Sequence, residues 1–315
     1  MFGFRPDGRR LKDADPIQML MPYLMPQRCD AQVMTPLEVD YDKVADYIQR
    51  QRELGRTVSF MSVIIASLIR VMNEIPAANR FVMNKQMYGR NEVAVSFMVL
   101  KNTDTKDADA SAVKVKFDPS DTIFDVAMRV EAAIGENRTP AAGGNATERL
   151  ARSLLSLPLL PTLLVGAIRL MDRYGILPRA VLDLSPFHTS LFVTNMASLG
   201  INYIYHHIYN FGTTGLFLSI GKITRKPRAN PNGEIVTQRV IPLGFVGDER
   251  IMNGLTYATL FRVWRKYMEN PALLEVPPES TKLTVRGTPE WVKNPKAKAR
   301  ITPAASAPTV EGNQE

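Results

Sequence analysis

Apolar positions recur along this chain with two periods, and the switches between them divide it into alternating strands and helices. Residues 32–39 alternate as a strand does. Asp40 then stands as a helix cap before Val44, Tyr47, Ile48, Gln51 and Leu54, a helical spacing closed by Gly55. Thr57 or Ser59 opens a second helix through Phe60, Ile64, Ile65, Leu68, Ile69, Met72 and Ile75, stopped by Pro76. It is apolar on most sides, so burial is expected. Residues 81–88 read as a short hairpin, 93–99 as a core strand and 113–117 as another. Ser120 is the expected cap of a helix carrying Ile123, Phe124, Val126, Ala127, Val130 and Ile134 and ending at Gly135.

Residues 138–147 are rich in Pro, Gly, Ala and Asn and read as a linker. Beyond it, the run 154–168 is almost wholly apolar, but Pro158 and Pro161 interrupt it and Arg152 and Arg169 bound it. A membrane-spanning helix needs about 20 apolar residues. Helices packed over a sheet or against a neighbouring subunit are therefore expected, with a membrane-surface contact through 150–177 as the alternative. Residues 190–201, 213–223 and 235–246 carry further strands, the last two paired around the turn Asn230, Pro231, Asn232, Gly233, and a helix over 255–268 closes the pattern. Interleaved strands and helices of this kind build an α/β sandwich. The division expected is an N-terminal arm over 1–30, one main domain over 31–276 with a helical insertion at about 138–185, and a disordered basic Pro/Ala-rich tail over 277–315.

Composition narrows the chemistry. With 315 residues and 45% hydrophobic positions the chain can bury a sizeable core. Cys29 is its sole cysteine, which excludes an intrachain disulfide, a cysteine-based zinc site and a redox pair, and suits the cytoplasm. No apolar run follows the basic residues of the N-terminus, so a secretory signal is not expected. A net charge of +8 raises the question of nucleic acid, but the cationic clusters fall in a hairpin-like segment, 222–228, and in the tail, 293–300. Solvated charge is the preferred reading and no nucleic-acid partner is expected, whereas a small anionic ligand would welcome the charge.

Three phrases carry a resemblance. Ser190-Leu191-Phe192-Val193-Thr194-Asn195-Met196-Ala197-Ser198-Leu199-Gly200 is similar to the Phe-Thr-Val-Thr-Asn-Met-Gly-Ser-Leu-Gly phrase of the acyltransferase component of 2-oxo acid dehydrogenases. Asp248-Glu249-Arg250-Ile251-Met252-Asn253-Gly254 resembles the Asp-His-Arg-x-x-Asp-Gly motif of that family and of chloramphenicol acetyltransferase, with Glu249 where the catalytic histidine stands and Asn253 where a structural aspartate stands. The third is the Pro76–Asn79 exit of the buried helix. The resemblance implies a two-layer α/β sandwich with a mixed sheet, coenzyme A or acyl-coenzyme A as substrate, and a site formed between subunits of a homotrimer. No lipoyl domain is expected in this chain.

It also assigns candidate residues. Acyl transfer from a thioester needs a base for the attacking thiol or hydroxyl and a donor for the oxyanion. Thr194 matches the oxyanion hydroxyl, against the plainer reading of a strand threonine. The general base is Glu249, if burial raises its pKa, or a histidine arriving from His206 and His207 in the segment that lines the acceptor pocket in relatives. Glu249 could instead be an exposed or salt-bridged carboxylate, with Arg250 and Lys222 as candidate partners. Adjacent residues in extended chain point oppositely, so at most one of the two histidines should face the pocket. Ser219 and Lys222 match positions beside the coenzyme A tunnel. The hairpin is expected to set the Glu249 loop beside the Thr194 strand. The alternative is a relative that has lost catalysis and serves as a trimeric scaffold or ligand-binding module.

Overall fold

A computed structural model of the protein describes residues 5–100, 110–138, 156 and 158–283. In chain order its elements are β1 (Gly8–Arg10), α1 (Pro16–Leu24), β2 (Gln32–Asp40), α2 (Tyr41–Glu53), α3 (Phe60–Glu74), β3 (Arg80–Met83), β4 (Gln86–Arg90), β5 (Val93–Leu100), β6 (Ala110–Phe117), α4 (Ile123–Arg138), α5 (Leu160–Arg173), α6 (Arg179–Leu184), β7 (Leu191–Asn195), β8 (Leu216–Ile220), β9 (Thr224–Ala229), β10 (Ile235–Asp248) and α7 (Gly254–Glu269). The main sheet has the order β2-β10-β8-β7-β5-β6, with β9 paired to the first half of β10, and β1-β4-β3 form a smaller sheet. It is mixed: β7 runs parallel to both β5 and β8, and the remaining pairs are antiparallel.

The core lies between one face of this sheet and helices α2, α3, α4 and α7, where Phe97, Val193, Leu218 and Phe245 meet Ile64, Leu68, Val126 and Leu260. Helix α3 is buried from Ser62 to Asn73, as its all-round apolar pattern requires. The indole N–H of Trp264 reaches Ser67 Oγ at 2.8 Å, so the one polar atom of that ring is satisfied inside the core. Asp40 and Ser59 cap α2 and α3 as their positions suggest.

Three expectations change. The cap of α4 is Thr122, which exchanges bonds with Asp125 in a capping box, while Ser120 is turned to Asp118; the helix continues past Gly135 to Arg138. Residues 277–283 are held on the domain, although the tail was expected to be disordered from 277: Asn73 donates to Ser280 O at 2.9 Å, accepts from Lys282 N at 2.9 Å, and Leu283 packs on the core. The expectation for 284–315 lies outside the described residues, as do the linker at 139–147 and much of the start of the insertion. Pro161 sits in the first turn of α5, where a missing N–H costs nothing, so it starts this helix and does not break it. Among the described residues, no helix is long and apolar enough to cross a membrane.

Candidate active site

Strand alternation gives the sheet two different faces. On β7, Leu191 and Val193 point to the helices while Phe192 and Thr194 point the other way; on β8 the outward pair is Phe217 and Ser219, and on β10 it is Gly244 and Val246. The register sets Thr194 beside Ser219 and Ser219 beside Gly244, with Phe192, Phe217 and Val246 forming the next row. Thr194 is half-buried, and its hydroxyl has only the Met196 sulfur, at 3.7 Å, as a close partner.

After a short 3-10 helix, Met196–Leu199, the segment following β7 crosses this outer face without regular structure from Ile201 on. Ser219 holds it: the Oγ accepts from Ile204 N at 3.1 Å and donates to Ile204 O. The crossing is so close that a Cβ at Gly244 would lie 2.2 Å from Ile204 O, and one at Gly221 would lie 2.4 Å from Tyr203 N. Two steps on, His206 stacks on Phe217 with centroids 4.2 Å apart and planes at 1°. Farther along, Ile208 N donates to Gln32 Oε1 at 3.1 Å, and Ile208 closes an apolar cluster with Phe192, Phe217 and Val246. The segment therefore runs along the sheet from the Thr194 end to the Asp248 end.

Alternation along it puts His206 on the sheet and leaves His207 exposed. His206 Nδ1 lies 2.8 Å from His207 O. A carbonyl only accepts, so Nδ1 carries the proton and Nε2 of the neutral ring keeps the lone pair that a base needs. Two residues of strand and one strand spacing separate the His206 row from Thr194, a distance on the order of 10 Å.

Glu249 is elsewhere. Counting along β10 from Gly244, which shares the Thr194 row, Glu249 is five residues on. At about 3.4 Å per residue that is roughly 17 Å along the sheet, plus about 10 Å across two strand spacings. The expected adjacency of the Glu249 loop and the Thr194 strand does not hold within one chain. Glu249 is exposed, and its backbone N–H donates to Ala31 O at 2.8 Å. Of the two plainer alternatives for Glu249, the exposed carboxylate is the one found, and its candidate partner Arg250 is paired elsewhere. Arg250 forks onto Asp248 through Nε and Nη2 at 2.8 and 2.7 Å, and Arg28 Nε approaches the same carboxylate at 3.5 Å. All three side chains are buried. Burial lowers the Arg28 pKa, Asp248 opposes this, and the neighbouring Arg250 adds to the lowering.

Asn253 has a definite task. Its Oδ1 accepts from Thr256 N at 2.9 Å and so caps α7. Lys222, at the far end of β8, is exposed. His188 precedes β7 at the end opposite Thr194 and joins a buried chain: Asp172 Oδ2 can only accept, so His188 Nε2 donates to it at 3.1 Å, and Nδ1 accepts the Ser185 hydroxyl at 2.7 Å. Arg5 adds Nη2 to the same carboxylate at 2.6 Å. Sequence reasoning missed both arginines, Arg5 and Arg28. A lone arginine in an N-terminal arm gives no signal until the partner carboxylate is placed. Among the described residues, no cluster of His, Cys, Asp or Glu could hold a metal ion.

Residues 187–276, which include Thr194, His206, Ser219 and Glu249, match the family model for the 2-oxoacid dehydrogenases acyltransferase (catalytic domain). A 56-residue stretch is 32% identical to the lipoamide acyltransferase component of the branched-chain alpha-keto acid dehydrogenase complex of Bos taurus, covering 18% of this chain and 12% of that protein. Among solved structures, a probable dihydrolipoamide acetyltransferase from Listeria monocytogenes superposes with a TM-score of 0.52 at 14% identity, over 87% of this chain and 98% of its own. The dihydrolipoamide acetyltransferase of Azotobacter vinelandii gives 0.50 at 12%, over 82% and 88%. A chloramphenicol acetyltransferase gives 0.50 at 10%, over 83% and 99%. Over residues 187–276 the chain is thus similar in sequence to the acyltransferase catalytic domain of the 2-oxoacid dehydrogenases, and as a whole it has the fold of those domains and of chloramphenicol acetyltransferase.

Proposed function

We propose that this protein is a coenzyme A-dependent acyltransferase of the 2-oxoacid dehydrogenase type, acting in the cytoplasm, with Thr194 as oxyanion donor and His206 as general base. The observation that carries the reading is the common row structure of the outer face. Thr194 and the lone pair of His206 share that face within the segment that matches the family, whereas Glu249 is exposed at the other end. In the reaction, His206 Nε2 takes the proton of the acceptor thiol or hydroxyl, which attacks the acyl carbon of the thioester. The Thr194 hydroxyl donates to the developing oxyanion. Collapse breaks the C–S bond, and the departing coenzyme A sulfur takes the proton back from the imidazolium.

The acceptor reaches this row along the uncovered part of the face, and a second copy of the chain is the natural wall for it. Met34, beside Val246 on this face, and Leu199 and Ile201, at the start of the crossing segment, stay exposed by 51%, 53% and 46%. Packing them between copies is what a homotrimer would do. Glu249 of one copy could approach Thr194 only in such an assembly. Asn253 needs no special account: in the Azotobacter vinelandii enzyme, whose mechanism was studied through a serine, a histidine and an asparagine, the asparagine follows the histidine by four residues, the spacing of Asn253 from Glu249.

The test is conversion of acetyl-coenzyme A to coenzyme A with a dithiol acceptor, the two separated by chromatography because transfer between thiols leaves the total of free thiol unchanged, using the wild type, Thr194→Ala, His206→Asn, His207→Asn and Glu249→Gln, with molar mass read by light scattering. His206→Asn is expected to lose at least about a hundredfold, as removal of a positioned general base does. A larger loss in Glu249→Gln than in His206→Asn would transfer the base to Glu249 and refute this assignment. No turnover of any acyl thioester by wild-type trimer would favour the scaffold.

A further inference from the structure

At the Asp248 end of the sheet lies an open cleft of about 580 Å³ that the acyl-transfer reading does not use. Its walls come from five places in the chain: Pro26–Arg28 after α1, the end of β3 with the Asn84-Lys85 turn, the C-terminal end of α5, Asn210–Gly212 at the end of the crossing segment, and Arg250 after β10.

The lining carries five cations, Arg28, Lys85, Arg169, Arg173 and Arg250, against one carboxylate, Asp172. That carboxylate is already engaged by Arg5 and His188. Arg250 is satisfied by Asp248, and Arg28 gives its two Nη atoms to Tyr209 O and Val82 O. Arg28 Nε is buried and makes no hydrogen bond, but its ion pair with Asp248 at 3.5 Å supplies its counter-charge. At the mouth, Arg173 donates only to the neutral side-chain oxygen of Asn84 at 3.0 Å, and Lys85 sits 5.2 Å from the Tyr23 ring. Among the described residues, no carboxylate pairs with Lys85, Arg169 or Arg173.

Geometry concentrates this charge on purpose-built positions. Asn84 and Lys85 both have positive φ, 49° and 59°, so the turn is the tight kind that favours glycine and asparagine, and a lysine there is strained. Arg169 and Arg173 are one helical turn apart and so share a face of α5. Like charges gathered in one cleft repel each other unless an anion is shared between them, and two guanidinium forks match the oxygens of a phosphate. Val82, Met83 and Phe211 give the lining an apolar part, beside the amides of Gln27, Asn84 and Asn210, and the volume is that of a small-molecule site.

We propose that this cleft binds a phosphate-bearing small ligand with an apolar body, its phosphate among Lys85, Arg169 and Arg173 and its body against Val82, Met83 and Phe211. The proposal stands independently of acyl transfer, because it shares no residue with the Thr194 row. The ligand could be a free phosphorylated molecule or a phospholipid presented by a membrane. Both offer the same headgroup chemistry.

Calorimetric titration of the full chain with decyl phosphate below its micellar range, with decanol and with inorganic pyrophosphate tests it. Saturable binding of one decyl phosphate per chain is expected, tighter than pyrophosphate and absent for decanol. Arg169→Glu with Arg173→Glu should weaken it at least tenfold, and Lys85→Glu, on a different element, should act in the same direction, while Arg262→Glu on the exposed side of α7 should not. Sedimentation with phosphatidylglycerol and with phosphatidylcholine vesicles separates the sources. Binding to the former alone, lost in the double variant, identifies a lipid headgroup, and its absence alongside decyl phosphate binding identifies a free ligand. No saturable binding of either phosphate probe, or equal affinity in the wild type and the double variant, overturns the proposal.

Discussion

Glu92, at the entrance to β5, joins α6 to the edge of the sheet. Its carboxylate lies 3.0 Å from Lys114 Nζ and 3.2 Å from Lys116 Nζ on β6, and 2.7 Å from Arg179 Nη2 on α6. Burial alone would raise its pKa, but Lys114, Lys116 and Arg179 outweigh burial and bring it from 4.5 down to about 2. At about 1.36 kcal/mol per pH unit, that corresponds to about 3 kcal/mol of stability at neutral pH. Lys114 returns part of this, since burial lowers its own pKa even with Glu92 beside it. The figure is therefore an upper value for the pair, while Glu92→Gln also leaves the Lys114 ammonium buried without a counter-charge, which pushes the cost back up. A loss of about 3 kcal/mol is expected for Glu92→Gln at pH 7. Because the folded pKa is depressed, the contribution is present above pH 4.5 and is lost as pH falls from there toward about 2. Urea unfolding of both proteins, followed by circular dichroism from pH 7 to pH 3, measures this. The gap between the two curves should stay constant down to about pH 5 and then close. A gap that does not change with pH, or one under about 1 kcal/mol at pH 7, would refute the electrostatic origin.

Three more outcomes follow from particular contacts. Gly244→Ala should lift the crossing segment off β10, since its Cβ would meet Ile204 O at 2.2 Å; about 1–3 kcal/mol is expected in urea unfolding, together with loss of coenzyme A formation if His206 is the base. Asp248→Asn removes the carboxylate between Arg28 and Arg250, leaving two buried guanidiniums, and should cost about 3–5 kcal/mol at pH 7, seen as a large fall in the urea midpoint. Ending the chain after Ser280 removes the Lys282 bond to Asn73 and the packing of Leu283, for about 1–2 kcal/mol, whereas ending it after Leu283 should leave the melting curve unchanged.

The elements were legible because each writes its own period, and a buried helix such as α3 announces itself by being apolar on every side. The site was legible only in parts. A motif compares residue identities at matched positions, and by that measure Asn253 looks like a lost charge. In the structure the useful property of that side chain is its oxygen, which caps α7 by bonding Thr256 N. Likewise Asp248, Glu249 and Arg250 read as one charged cluster. The alternation at the end of β10 buries the first and third and leaves the middle one in water, so the ion pair skips Glu249 and the arginine needed to complete it comes from a segment more than two hundred residues earlier. Register was the least legible feature. The 14 residues of β10 pair with β9 over their first part, with β8 over their last part, and with β2 along most of their length. No local signal says which residue of β10 lies in the Thr194 row, yet that register decides whether the motif loop or the histidine segment lies nearer to Thr194. What fixes it is close packing: Gly244 and Ser219 are the places where Ile204 can touch the sheet, and with Ile204 held there an extended chain carries His206 onto Phe217. The glycine at 244 and the serine at 219 are thus positioning residues for the histidine, which is why Gly244→Ala tests the base assignment without touching the imidazole.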